Sequence, residues 1–327
     1  MLNRRHLLAA SATSLLSAGL ARPALAQTVK KPVHVIVGFP AGGGTDVTAR
    51  VLAEGLRGPY ASAVLVENKP GASARLAVEY VKNAEPDGSV MLFTPDFPMT
   101  LYPHSFKTLS YDPLKDFVAV GPATKSMLSY NVGPMVPGSV KTLKDFVEWC
   151  KANPDKSAYG TTSAGATPHF AGVMFANEAK VAMNPVHYRG GAPALQDVVG
   201  GHIAASVNPV SESMPLHQAG TIRILAVTGA KRSQFLPDVP TMKEQGYDVV
   251  VESWLGVFLP PKTPDEITQA LSKAMGEATR SAAMIESLAK FASEPLFETP
   301  AEFVETIKSD LKRWGPVVKA SGFVAVD

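Results

Sequence analysis

Apolar and polar positions along this chain follow two periods, and the switch from one to the other recurs from end to end. Val33, Val35 and Val37 alternate with His34, Ile36 and Gly38, a β-branched run suited to a buried strand. From Val47 the apolar positions fall at Val47, Val51, Leu52 and Leu56, which is helical spacing. The same reading predicts strands at 33–38, 63–67, 89–94, 118–121, 127–132, 157–160, 184–188, 203–207 and 222–228. Helix starts between them are marked by caps. Thr142 with Asp145 opens a helix that ends near Asn153-Pro154. Thr263-Pro264-Asp265-Glu266 reads as a capping box, with Ile267, Leu271 and Met275 following on one face. Thr299-Pro300-Ala301-Glu302 repeats it ahead of a stripe formed by Phe303, Ile307, Leu311 and Trp314. Strand and helix in alternation predict an α/β fold built on parallel sheets covered by helices.

The N-terminal 26 residues fall outside this pattern. Arg4-Arg5 precede an apolar run from Leu7 to Leu20, and Ala24-Leu25-Ala26 supplies small residues for cleavage before Gln27. The segment reads as an export signal, and Arg4-Arg5 followed by His6-Leu7-Leu8 resembles a twin-arginine signal. Gln27, not a cysteine, stands directly after the cleavage point, which excludes a lipid anchor there, and a periplasmic location is expected. The remaining chain, about 300 residues, exceeds the comfortable size of one core, so two domains are expected. Loss of Arg4, Arg5 and Arg22, with no acid lost, takes the formal charge from +2 to −1. That balance points away from nucleic acid. Cys150 is the only cysteine, which rules out an intramolecular disulfide, and beside Trp149 it reads as a small core residue. The seven histidines lack ligand spacing, so neither metal nor cofactor is expected.

Chemistry concentrates where strands run into helices. After the first strand come Phe39-Pro40-Ala41, the glycines Gly42, Gly43 and Gly44, then Thr45 and Asp46 at the helix start. Glycines leave backbone N–H groups bare, and a helix start adds unpaired donors and partial positive charge, which together suit an anion. The loop lacks the lysine of a P-loop, and GGGTD does not match GxGxxG. Two further junctions share its character. Tyr159-Gly160 leads through Thr161, Thr162, Ser163, Ala164, Gly165 and Ala166 to Thr167 as N-cap of a helix that begins Pro168-His169. Val186-His187-Tyr188 leads through Arg189-Gly190-Gly191 to Ala192-Pro193. In an open parallel sheet such junctions lie together at the carboxyl ends of the strands, where ligands bind.

These residues resemble the Bug receptors, the periplasmic solute-binding proteins of tripartite tricarboxylate transporters. The resemblance is carried by FPAGGGTD at 39–46, ENKPGA at 67–72, EPDG at 85–88, YDPLKDF at 111–117 and YRGGAPALQDVVGGHI at 188–203. It continues through IRILAVTGAKR at 222–232, LPDVPTMKEQG at 236–246, SWLGVFLPPKTP at 253–264 and RWGPVVKASG at 313–322. It implies a two-lobed type II periplasmic-binding-protein fold with a two-strand hinge, one lobe at 27–126 plus 253–327 and the other at 127–252. It also implies that main-chain amides hold a ligand carboxylate, with Phe39, Gly43, Gly44, Thr45 and Asp46 on one side. Thr161, Ser163, Gly165, Thr167 and the Ala192 amide stand on the other.

Departures from the family pattern bear on specificity. After the second strand this chain reads Gly71-Ala72-Ser73-Ala74-Arg75, which adds Ser73 and the Arg75 guanidinium to the candidate site. Ala204 stands where an acid is common, and Asn208 after strand 203–207 is a candidate amide donor. Arg75 without that acid suggests a second ligand carboxylate, held bidentately. The expected function is capture of a small organic carboxylate, a dicarboxylate on this reading, by a monomeric receptor. It would deliver the ligand to one large and one small inner-membrane subunit. A receptor for a periplasmic sensor kinase would read alike. A hydrolase using Ser73 or Ser163 with His169 is the remaining alternative, and no GxSxG elbow supports it.

Overall fold

The computed structural model describes residues 29–324, so the expected export signal at 1–26 lies outside the described residues. The chain begins with β1 (Val33–Val37), α1 (Gly44–Leu56), β2 (Val64–Asn68), α2 (Arg75–Lys82) and β3 (Val90–Pro95). Two one-turn helices, α3 (Phe97–Thr100) and α4 (Tyr102–Ser105), lead into β4 (Val118–Val132). Next come α5 (Leu143–Ala152), β5 (Ala158–Thr161), α6 (Thr167–Glu178), β6 (Asn184–His187) and α7 (Gly191–Val199). They are followed by β7 (Ala205–Pro209), α8 (Val210–Gln218), β8 (Arg223–Val227) and β9 (Glu252–Leu259). The last elements are α9 (Asp265–Thr279), α10 (Ala282–Ala289), β10 (Glu294–Pro295) and α11 (Pro300–Ser321).

One strand joins two sheets. β1 lies between β2 and β3 in parallel register, and β9 pairs antiparallel with β3 and with Val118–Met127 of β4. The same strand continues as Leu128–Val132, antiparallel to β7 and β8, and β7, β5 and β6 then run parallel. The expected strands 118–121 and 127–132 are therefore the two ends of β4. Register shifts between Ala119 and Gly121 and between Pro122 and Thr124 accommodate Pro122, which has no N–H to give a ladder. β9 is missing from the expected set. Its Trp254–Leu259 stretch is mostly buried, so it lacks the half-buried alternation that marks a strand.

Separate cores stabilise the two sheets. Val33, Val35 and Val37 pack with α1 and α9 on one face of the first sheet, and Ile36 packs with Leu92 and Phe258 on the other. Tyr130, Phe146, Tyr159, Phe170 and Phe175 build the core of the second, with Cys150 among them as expected. Helix α11 crosses between them, with Phe303 and Ile307 in the first body and Trp314 and Val318 in the second. The capping boxes at Thr142–Asp145 and Thr299–Glu302 are both formed. The one expected at Thr263 is not. Pro264 is the N-cap of α9, and the Thr263 hydroxyl donates instead to the Pro260 carbonyl at 2.8 Å.

Candidate functional site

Strands β1, β2, β5 and β6 each end in a loop, β7 runs directly into α8, and these strand ends face one another across a cleft. Two cavities share a wall made by Phe39, Pro40, Thr162, Arg189 and Gly190. The first, about 260 Å³, lies between the glycine loop with Thr45 and the Gly191–Pro193 start of α7, with Ser211 and Glu212 beside it. Its floor is Ser126 and Leu128 of β4 with Ser253 and Leu255 of β9. The second, about 550 Å³, lies between Pro70–Ala74 and the Thr162–Ser163 and Tyr188–Gly190 segments.

The wall of the second cavity is strained. Ala72, Ser73 and Ala74 take φ of +45°, +55° and +71°, three successive non-glycine residues in the left-handed region. Gly38 makes room for this turn, since a Cβ there would stand 2.5 Å from the Ala74 Cβ. The Tyr102 hydroxyl donates to the Ser73 carbonyl at 3.0 Å and lies 3.4 Å from Ser163 Oγ, tying this turn to the opposite side of the cleft.

Of the thirteen residues singled out from the sequence, Phe39, Gly43, Gly44, Thr45 and Ala192 line the first cavity. Phe39 also lines the second, with Ser73 and Ser163. The other six line neither. Asp46 is buried and accepts from the Gly42 N–H, Arg50 Nη2 and Asn68 Nδ2, all at 2.9 Å. Burial works to raise its pKa, but those donors outweigh it and hold the carboxyl below its ordinary range. Asp46 thus shapes the glycine loop from behind. The Thr161 hydroxyl donates to the Ser163 carbonyl at 2.9 Å, and the Gly165 N–H donates to His169 Nδ1 at 3.2 Å. Thr167 is not the N-cap of α6. Ala166 holds that position, and the Thr167 hydroxyl donates to Asp96 Oδ2 at 2.8 Å. Asn208 is buried beneath Gly191, to whose carbonyl its Nδ2 donates at 3.3 Å. Arg75 lies over the Phe106 ring, 4.1 Å from its centroid, and donates to the Ala72 carbonyl.

Three residues outside that set matter. Arg189 is the one cation lining either cavity among the described residues. Its place at the end of a strand–loop–helix junction was the available signal. Glu212 faces the first cavity, and its carboxyl accepts from Asn208 Nδ2 at 3.1 Å and lies beside Gly44. Burial raises its pKa. Asp96, with no exposed surface, accepts from Ser253 Oγ at 2.7 Å and from Thr167, joining the end of β3 to the starts of α6 and β9. Burial pushes its pKa up to about 7. His169 is packed against Phe170, His187 and Phe323, and burial lowers its pKa to about 3. Among the described hydrogen bonds it reaches neither Ser73 nor Ser163.

Residues 48–323 match the model of the Tripartite tricarboxylate transporter family receptor. The chain belongs to that family. This receptor is 30% identical to BugT of Bordetella pertussis, across 98% of its own length and 99% of BugT. R. palustris Rpa4515, solved with adipate, is 29% identical and superposes with a TM-score of 0.86 over 90% of the receptor and 98% of that chain. MatC from Rhodopseudomonas palustris, solved with bound malate, is 25% identical, with a TM-score of 0.81 over 88% and 98%. The receptor has the two-lobed α/β architecture of the type II periplasmic-binding-protein fold. Among its described residues no helix is long and apolar enough to cross a membrane, and no group of His, Cys, Asp and Glu converges as a metal site.

Proposed function

We propose that the receptor captures a small organic carboxylate in this cleft, in the periplasm, for a carrier built from one large and one small membrane subunit. The observation that carries the reading is the meeting of four glycine- and hydroxyl-rich strand-end loops and the start of α8 around a single lining cation, Arg189. Relatives solved with adipate and malate support the ligand class. On this reading the lobes are 27–126 plus 253–327 and 127–252, hinged in the middle of β4 and at the start of β9, and the receptor acts as a monomer. Its role is binding, not turnover. A ligand touching both lobes favours the closed form, so capture and closure are one equilibrium. The expectation of a second ligand carboxylate rests on Arg75, which lines neither cavity, lies over Phe106 and donates through Nε to the Ala72 carbonyl.

Thermal unfolding of the mature receptor with a panel of aliphatic and aromatic acids, each beside its uncharged amide, tests this. At least one acid is expected to raise the midpoint while its amide does not. At 100 times its dissociation constant it adds about 2.7 kcal/mol. No shift with any acid, or equal shifts from acid and amide, would refute carboxylate capture.

A further inference from the structure

We propose that Glu212 is a resident carboxylate filling the anion position of the glycine loop, so that this receptor selects ligands with one carboxylate group over those with two. The inference rests on carboxylate capture and narrows it to a ligand class.

Helix α1 has no side-chain cap of its own, and the Glu212 carboxyl lies against its first residue, Gly44. Glu212 comes from across the cleft, in the first turn of α8. Its carboxyl also reaches the start of α7. A Cβ on Gly191 would stand 1.6 Å from Oε2, and one on Gly44 would stand 3.4 Å from Oε1. One carboxyl therefore spans two facing helix starts and sits in the notch left by the missing side chain of Gly191. Its side-chain donor is neutral, Asn208 Nδ2. Unpaired N–H groups and the partial charge at a helix start attract an anion, and here the anion is already supplied.

A ligand carboxylate brought to Gly44 would meet Glu212 at contact distance. Two carboxylates so placed resist being ionised together. The charges of the cleft fit a single ligand carboxylate. Arg189 lines both cavities and Glu212 is the one acid lining the first. The ligand's carboxylate then belongs at Arg189, on the side of the left-handed turn. An uncharged chain or ring follows into the first cavity, against Phe39, Phe97, Leu128 and Leu255.

Calorimetric titration of matched acids into the wild-type mature receptor, E212Q and E212A tests this. The pairs are butanoate and succinate, hexanoate and adipate, octanoate and suberate, and benzoate and terephthalate. In wild type the monoacid of the tightest pair should bind about 10-fold or more tightly than its diacid. E212Q should shift that ratio toward the diacid by about 10-fold while changing the monoacid by less than about 3-fold. A wild-type preference for the diacid overturns the role of Glu212. So does a ratio that neither variant moves, with circular dichroism showing both folded. In those cases carboxylate capture still stands. Heat of binding from no acid in any of the three proteins would instead refute carboxylate capture, and this inference with it.

Discussion

Asp96 shows what burial does to one side chain in the receptor. It accepts hydrogen bonds from Ser253 and Thr167 but has no cation bound to it, and its pKa is pushed up to about 7 from 3.8. Between about pH 4 and 7 the folded protein therefore holds a proton that the unfolded chain has released. This group's contribution to stability is greatest on the acid side and falls as pH rises through that window. Wild type should lose about 2 kcal/mol relative to D96N between pH 5 and pH 8, measured by urea unfolding at each pH. Parallel behaviour of the two proteins would contradict the shift. Arg75 makes a second case. Its guanidinium stacks on Phe106, so R75Q should lower stability by about 0.5–1 kcal/mol and leave acid affinities within about 2-fold. Selective loss of diacid binding would return Arg75 to the site. Residue identity placed the loops correctly but not the directions of their side chains. Gly43, Gly44, Thr45, Ser73, Ser163 and Ala192 reach the cavities, whereas Thr161, Thr167 and Asn208, on the same loops, bond inward. Glu212 was hidden for a different reason. An acid in the first turn of a helix is accounted for by that helix's own dipole, and only the approach of α1 from the other lobe gives it another role.

Helix ends were the most legible elements, because a cap is a local device. Thr142 and Thr299 each accept from the N–H three residues on, as their spacing predicts. Thr263 fails because Pro264 holds the cap position and the hydroxyl turns back to Pro260. The cap at Thr299 starts a helix of 22 residues that anchors both bodies through Phe303 and Trp314. T299A should cost about 1 kcal/mol in denaturant unfolding, and T263A should leave the start of α9 unaffected by circular dichroism. Equal losses in the two variants would show that the caps are not the difference. The long strand β4 was legible only as fragments. Its continuity through Gly121-Pro122 depends on the register shifts against β9, which are tertiary and leave no local pattern.

At the scale of the whole molecule, the two lobes meet at several points beside the cleft. Thr167 meets Asp96, Ser163 lies beside the Tyr102 hydroxyl, and Glu212 meets Gly44. α11 packs into both cores. T167A removes one of these lobe-to-lobe contacts, so small-angle scattering should show it enlarging the radius of the receptor without acid and leaving that of the acid-saturated receptor unchanged. An equal enlargement of both forms would argue that Thr167 does not act at closure. The two-lobed order was legible from the repeated strand–loop–helix junctions and the family resemblance. The closeness of the lobes was not, because it arises from pairs such as Glu212 and Gly44, far apart in the chain. The central claim is that the strand-end loops capture a carboxylate around Arg189. Its most direct test is calorimetry of the tightest-binding acid against wild type and R189Q, both shown to be folded. Loss of a charge-assisted contact of about 1.5–3 kcal/mol should weaken binding by about 10- to 100-fold. Unchanged affinity in R189Q would place the carboxylate elsewhere and contradict the account.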